Sequence, residues 1–211
     1  MCRRDCHTSS RISLNVTIAA PIATGAAIGT LIYSMNVSLD GYVEDANGSI
    51  DFTEPDDDLH RHWNRQTQEA AAFLFGRRLF EMMEGHWPTA ESRGADAQAE
   101  FARAYVGTPR IVFSDSLRSV PEGVRLVRSR DALTEVRRLK QETDGHLDLG
   151  GPGLAASLLD LVDEFRLCVL PVVVGGGKPF FPASPSQLRL RLSEHHVFAS
   201  GAVYLRYRRA H

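Results

Sequence analysis

Short apolar segments alternate with helix-like segments along most of this chain, and this alternation constrains the fold more than any other feature. The apolar segments lie at residues 31–37, 71–75, 110–113, 124–127 and 165–174. Amphipathic stretches separate them, such as residues 131–141, in which Leu133, Val136 and Leu139 are expected to face the core. Strands that alternate with helices favour a parallel sheet covered by helices. The sequence therefore predicts an α/β fold.

The end of the chain departs from this pattern. Residues 195–199 and 203–207 are typical of two strands joined by a turn at Ser200 and Gly201. Such a hairpin adds antiparallel strands, so the predicted central sheet is mixed, flanked by helices and closed by a C-terminal antiparallel hairpin. No repeat or linker divides the 211 residues, and a chain of this length can bury one substantial core.

Charge and hydropathy limit the partners. The 24 Lys and Arg residues nearly balance the 26 Asp and Glu residues, which gives a formal charge of −2. Nucleic-acid-binding domains usually carry a clustered basic surface, so no nucleic-acid partner is expected. The apolar stretch at residues 18–28 is interrupted by Pro21 and Gly25 and is too short for a membrane span. We expect a cytoplasmic protein that binds no membrane.

Residues 1–30 differ in character from the rest of the chain. Arg3 and Arg4 precede the weakly apolar stretch, an order that loosely resembles a secretory signal. We expect residues 1–30 to be a leader or disordered extension. The folded domain is then expected to comprise residues 31–211.

A metal site is not predicted. A metal could be ligated by Cys2, Cys6 and His7, but no second group of Cys and His ligands with suitable spacing follows in the sequence. His60 and His62 lie two residues apart on a predicted helix, so they face different directions.

The turns that follow the predicted strands carry the chemically useful residues. In open α/β sheets, ligands bind outside the carboxyl ends of strands, where main-chain N–H groups favour anions. Gly150, Gly151 and Gly153 open a helix in this position and would let the main chain approach a pyrophosphate. The spacing matches G-x-G-x-x-A, but the acid that holds a ribose in dinucleotide-binding proteins is missing after the next strand. A tight turn with close helix packing is the alternative.

Other strand ends carry cations, a hydroxyl and a carboxylate. Arg77 and Arg78 follow Gly76 at the start of a predicted helix, where the helix dipole favours negative charge and disfavours two cations. A bound phosphate would offset this unfavourable placement. Arginines that are simply solvated at the surface are the alternative. Ser114 could bind a ribose or phosphate, although Ser-Asp-Ser is commonly a turn. Asp40 is the best-placed carboxylate for proton transfer, the alternative being an Asp-Gly turn.

Residues 175–179, Gly-Gly-Gly-Lys-Pro, invite comparison with a phosphate-binding P-loop. The spacing G-x-x-x-x-G-K-[ST] is absent, and Pro179 stands where a metal-binding hydroxyl is needed. We therefore expect a flexible loop after a strand.

Six motifs occur in order along the chain. They lie at residues 35–42, 75–81, 112–117, 150–155, 161–167 and 171–181. Together they resemble the dihydrofolate reductase-like proteins related to the C-terminal reductase domain of the bifunctional riboflavin-biosynthesis deaminase/reductase. The resemblance runs from about Leu31 to Arg208, and no deaminase zinc signature accompanies it.

The resemblance implies a single dihydrofolate reductase-like domain that binds NADPH. The implied contacts are Gly76, Arg77 and Arg78 with the cofactor phosphates, Ser114 with the adenosine ribose and its 2′-phosphate, Gly150, Gly151, Gly153 and Leu154 with the pyrophosphate, and Val37, Ser38 and Asp40 with the nicotinamide and substrate. Many relatives carry a basic residue after the serine, where this chain has Asp115, so NADH is not excluded as the cofactor.

The implied function is a stand-alone, NADPH-dependent oxidoreductase that transfers a hydride to a pteridine-, pyrimidine- or flavin-like heterocycle, with the proton coming from Asp40 or water. The alternative is a nucleotide-binding module of the same fold without efficient turnover. A homodimer through the C-terminal part of the chain is also expected. The predicted strand at residues 165–174 is apolar on both faces, and Phe180 and Phe181 follow it.

Overall fold

The computed structural model describes residues 28–90, 96–183 and 187–210. Its strands are β1 (Thr30–Ser38), β2 (Tyr42–Glu44), β3 (Ala70–Gly76), β4 (Arg110–Phe113), β5 (Val124–Val127), β6 (His146–Gly150), β7 (Glu164–Leu170), β8 (Lys178–Pro179), β9 (Leu190–Val197) and β10 (Val203–Arg209). Its helices are α1 (Asp57–Gln68), α2 (Arg77–Ala90), α3 (Ala97–Gly107), α4 (Ala132–Glu142) and α5 (Pro152–Leu158).

Eight of these strands form one sheet in the order β5-β4-β3-β6-β1-β7-β10-β9. The first six strands in this order run parallel to one another, and β10 pairs antiparallel with both β7 and β9. Strands β2 and β8 form a separate two-stranded antiparallel sheet. The predicted mixed α/β fold with a C-terminal antiparallel hairpin is therefore confirmed.

Side chains alternate between the two faces of the sheet and build a core on each. Leu74 of β3 belongs to a buried cluster with residues of α4 and α5, whereas its neighbours Phe73 and Phe75 pack with residues of α2 and α3. Because helices cover both faces, the ends of the central strands are held on a rigid scaffold.

Strand β1 extends beyond its neighbour β6 at the carboxyl edge of the sheet. Its pairing with β6 ends at Tyr33 opposite Leu149, whereas its pairing with β7 continues to Ser38 opposite Leu170. The chain leaves β6 at Gly150 and turns into α5. Beyond Gly150, β6 no longer pairs with β1, and we call the region between the last residues of β1 and the start of α5 the crevice, because open α/β sheets bind ligands at this edge.

Two helices show how local sequence sets their ends and faces. Asp56 caps α1, because its carboxylate accepts a hydrogen bond from the main-chain N–H of Leu59 at 2.8 Å. In α4, Val136 is buried and Leu139 is partly buried, as predicted, but Leu133 is exposed, so its assignment to the core is wrong.

The prediction of a long strand that is apolar on both faces, at residues 165–174, is also wrong. Strand β7 begins one residue earlier, ends four residues earlier, and carries charge on one face. Glu164 is only 1% exposed and forms ion pairs with Arg166, Arg206 and Arg208. Two of these arginines come from β10, about forty residues later in the chain, so the sequence around Glu164 does not predict these ion pairs.

Candidate active site

The strand ends selected from the sequence lie along one edge of the sheet. Phe75 of β3 lies opposite Gly150 of β6, and Gly76 lies opposite Phe113 of β4. The turns that begin with Arg77, Ser114 and Gly151 therefore follow neighbouring parallel strands, and Asp40 follows β1 on the far side of β6. The structure thus brings the four predicted segments to one edge.

Glycines allow the starts of α2 and α5 to pack against each other. A Cβ atom on Gly150 would lie 2.6 Å from Cδ2 of Leu79, and one on Gly76 would lie 3.6 Å from Cβ of Leu154. Leu154 itself is buried in the core. Gly150 and Leu154 therefore serve the close packing of helices that was the alternative to ligand binding, and they do so whatever ligand the turn binds.

The next two glycines differ from each other. Gly151 has a φ of +94°, a backbone conformation that L side chains rarely adopt, and it lies beside Leu79. Gly153 has an ordinary helical conformation and is exposed. Outside the chain neighbours and backbone of its own helix, the one atom of the described residues within 4 Å of a Cβ on Gly153 would be Nζ of Lys178, at 3.7 Å. The packing of the fold does not require a glycine at position 153, and the absence of a side chain there leaves room for a ligand.

The two arginines at the start of α2 have different surroundings. Arg78 donates a hydrogen bond to Glu44 Oε1 at 3.0 Å and another to the carbonyl of Gly48 at 3.3 Å. Arg77 lies 3.9 Å from Glu81 in the same helix, and both side chains are about half exposed. The charge of Arg78 is therefore met by a protein carboxylate, whereas Arg77 remains accessible to an anion.

Ser114 closes the turn after β4. Its Oγ accepts hydrogen bonds from the N–H groups of Ser116 at 3.2 Å and Leu117 at 3.1 Å. The carboxylate of Asp115 accepts a hydrogen bond from the N–H of Ser129 at 3.0 Å. Both predicted side chains are therefore engaged in holding the turn.

Arg128, which sequence reasoning missed, is bound to the same turn. Its Nη1 atom donates to the carbonyls of Ser114, Asp115 and Leu117 at 3.2–3.4 Å. Its position as the first residue after β5, at the carboxyl edge of the sheet, is the sequence signal that could have identified it.

At the end of β1, the side chains point to the protein interior and to a neighbouring loop. Val37 is buried in the core, and Ser38 Oγ accepts a hydrogen bond from the N–H of Tyr42 at 2.9 Å. The carboxylate of Asp40 accepts hydrogen bonds from the N–H groups of Gly175 at 2.8 Å and Val174 at 3.2 Å.

Hydrogen bonding stabilises the ionised form of Asp40. The Ser38 hydroxyl and the N–H groups of Gly175 and Val174 hold the pKa of the Asp40 carboxyl below its usual value. Asp40 therefore carries a negative charge at neutral pH and anchors the glycine-rich loop.

That loop is held in place rather than free, contrary to the expectation for residues 175–179. Gly177 has a φ of +135°, and a Cβ atom there would lie 2.0 Å from the carbonyl oxygen of Glu44. Lys178 and Pro179 pair with β2. Only glycine fits this close approach of two main chains.

Two broader properties concern the described parts of the chain. Residues 28–90, 96–183 and 187–210 contain no group of three His, Cys, Asp or Glu side chains arranged to hold a metal, and Cys2, Cys6 and His7 lie outside these ranges. None of the described helices has the length and apolarity to cross a membrane.

Solved structures share the fold over nearly the whole chain. A Shewanella sp. PV-4 protein, provisionally named a riboflavin biosynthesis protein, is 21% identical with a TM-score of 0.67, over 86% of this chain and 99% of that one. Dihydrofolate reductase from Enterococcus faecalis, solved with NADP(H), is 15% identical with a TM-score of 0.60, over 87% and 98%. The fold is that of a dihydrofolate reductase-like α/β domain.

The sequence then places the chain within that class. The family model described as RibD C-terminal domain matches residues 29–204, so the chain belongs to this family. The uncharacterised Bacillus subtilis protein YyaP is 29% identical over 180 residues, which cover 84% of this chain and 93% of YyaP. The resemblance stated from the six motifs is confirmed.

Proposed function

We propose that this protein is a stand-alone reductase that uses NADPH to reduce a small pteridine-, pyrimidine- or flavin-like heterocycle. The observation that carries the proposal is the crevice between the end of β1 and the start of α5 in a RibD C-terminal domain fold. Four turns selected independently for phosphate, ribose or proton chemistry border this edge of the sheet.

The residues at this edge fit a nicotinamide dinucleotide. Gly153 is exposed and leaves open the volume that a Cβ atom would fill, which suits the close approach of a diphosphate. Arg77 is a half-exposed cation at the start of a fourteen-residue helix, where the helix dipole also favours an anion. A bound NADPH would supply the hydride for reduction.

The main chain at the end of β1 would orient the substrate, because the side chains of Val37 and Ser38 are each only 1% exposed. The crevice beside Ser38 lies next to strands held on a rigid scaffold, and such positioning is the main contribution of a protein to cofactor chemistry. Asp40 is ionised and bonded to the main chain of the loop, so it holds no proton to donate at neutral pH. We assign the proton to water and a loop-positioning role to Asp40.

Titration and turnover test this function together. NADPH is titrated into the protein while tryptophan fluorescence is recorded, and loss of NADPH absorbance is then followed with a panel of pteridines, pyrimidines and flavins. We expect saturable binding and consumption of NADPH with at least one class. Absence of NADPH binding would refute the proposal.

The second candidate is a nucleotide-binding module without turnover. It is favoured by the engagement of Asp40, the one carboxylate selected for proton transfer. Saturable NADPH binding with no consumption across the panel would establish this candidate in place of the reductase.

We also propose that the protein is a homodimer. Phe180 is 1% exposed and stacks on Tyr33, so it is not available to a partner, but Phe181 is 38% exposed. One face of the three C-terminal strands carries two cross-strand rows without formal charge, Val169–Val203–Val197 and Leu167–Leu205–His195. An uncharged face of this kind can meet a copy of itself without like-charge repulsion.

Light scattering tests the dimer. Val197 is 63% exposed, so Val197→Glu should fold normally and convert a particle of twice 23.3 kDa to one of 23.3 kDa. Phe181→Glu should weaken the dimer in the same direction. A monomeric unsubstituted protein at micromolar concentration contradicts the proposal.

A further inference from the structure

Lysine is rare in this chain, and its two occurrences have different surroundings. The only lysines in the sequence are Lys140 and Lys178. The amine of Lys140 bonds the carbonyl of Leu161 at 3.0 Å and the carboxylate of Asp163. The half-buried Lys178 has no hydrogen-bond or ion-pair partner among the residues that the structure describes. A half-buried ammonium group without a counter-ion favours an anion nearby.

The main chain around Lys178 is held by contacts with β2 and with Asp40. Its strand pairs with β2, where Lys178 lies opposite Glu44. The preceding Gly177 approaches the Glu44 carbonyl so closely that no side chain fits. Upstream, Asp40 binds the N–H groups of Val174 and Gly175. The main chain that carries Lys178 is therefore anchored, which suits a binding residue more than a mobile surface lysine.

The amine lies beside the open side of Gly153. Its Nζ atom is 3.7 Å from the position that a Cβ atom on Gly153 would occupy. Arg78 is the other cation that contacts β2, and it already has Glu44 of that strand as its counter-ion. Among the described residues, Lys178 is thus a cation without a counter-ion beside the start of α5. Lysine binds phosphate as a compact point charge, without the two-pronged geometry that arginine requires.

We infer that Lys178 binds a phosphoryl anion at Gly153, and that this anion is the diphosphate of the dinucleotide cofactor. The inference rests on the proposed function. It assigns to the glycine-rich loop the role of carrying the cation of the diphosphate site, and to Asp40 and Gly177 the role of positioning that loop.

The rarity of lysine makes a direct test possible without measuring activity. Reductive methylation with ¹³C-formaldehyde keeps the charge of the amines and labels only Lys140, Lys178 and the chain's amino terminus. The Lys178 resonance is assigned by its loss in Lys178→Arg. We expect NADPH, NADH and inorganic pyrophosphate each to shift the Lys178 resonance saturably, while the Lys140 resonance, the internal control, stays in place.

Affinity gives the second measurement. Lys178→Gln should raise the Kd for NADPH at least tenfold, and Lys178→Arg should restore part of the loss because it restores the charge. A thermal unfolding curve of Lys178→Gln that matches the unsubstituted protein shows that folding is not the cause.

Three outcomes would overturn the inference, and they are distinguishable. NADPH binding with no shift at Lys178 and an unchanged Kd in Lys178→Gln shows that the lysine is not at the diphosphate. A shift produced by ribose 5-phosphate in the presence of saturating NADPH, but not by NADPH alone, assigns the lysine to a phosphorylated substrate. Absence of NADPH binding by the unsubstituted protein refutes the proposed function and this inference with it.

Discussion

Replacing Gly153 by alanine separates the stability of the fold from the affinity for cofactor. Gly153 is the second residue of α5, is exposed, and has an ordinary helical backbone. Among the described residues outside α5 and the chain neighbours of Gly153, a methyl group there would meet Nζ of Lys178, at an ordinary contact distance of 3.7 Å. Gly151 offers no such separation, because its φ of +94° makes any side chain strain the backbone itself.

The two expected effects have opposite signs. Alanine restricts the unfolded chain and favours the helix, so Gly153→Ala should raise the free energy of unfolding by about 0.5–1 kcal/mol. For a domain of this size the melting temperature should rise by about 1–4 °C. If the diphosphate approaches the main chain at Gly153, the added methyl group should weaken NADPH binding about tenfold, or roughly 1.4 kcal/mol.

Calorimetric melting and fluorescence titration measure the two effects on the same samples. Gly85→Ala is the matched control, since Gly85 is an exposed glycine within α2 with nothing within 4 Å of its Cβ position. The control should gain similar stability and keep the cofactor affinity of the unsubstituted protein. A Gly153→Ala protein that is more stable and binds NADPH within twofold of the original would refute the placement of the diphosphate.

Other parts of the structure give three further predictions. Glu164→Gln removes the buried carboxylate that three arginines share, and should lower the free energy of unfolding by about 3–5 kcal/mol in urea denaturation; a loss below about 1 kcal/mol would contradict the network. Burial lowers the pKa of His62 from 6.5 to about 4, so between pH 6.5 and pH 4 the unfolded state binds a proton that the folded state does not bind. The free energy of unfolding should therefore fall as the pH falls through this range, and His62→Gln should reduce the fall. Equal dependence of the free energy of unfolding on pH in the two proteins would exclude the burial effect. Arg128→Gln should raise the Kd for NADPH more than that for NADH if the guanidinium lies near the 2′-phosphate, and equal effects would place it elsewhere.

Local pattern was sufficient to predict a mixed α/β sheet and the edge that carries the candidate site, whereas the dihydrofolate reductase-like fold was implied by the family resemblance. The alternation of apolar segments with helices set the sheet, and the residues directly after each strand mark where parallel strands end together. Gly76, Ser114 and Gly150 could therefore be selected without knowing the strand order.

Contacts between distant segments could not be predicted in this way. The partner of Arg78 is Glu44, from the short β2 strand that has no apolar pattern, and the neighbour of Gly153 is Lys178, from β8. The role of Asp40 depended on the loop after β7, 134 residues later in the chain. A local Asp-Gly pattern cannot distinguish a proton donor from a residue that holds such a loop.

We propose that the cofactor binds in the crevice at the carboxyl edge of the sheet, and a crystal structure with NADPH would show its position. We predict electron density for the diphosphate beside Gly153 and Lys178, and for the nicotinamide beside the end of β1 at Ser38. A cofactor bound at any other edge or face of the sheet, or an empty crevice at a concentration that saturates the protein in solution, would show that the cofactor site lies elsewhere.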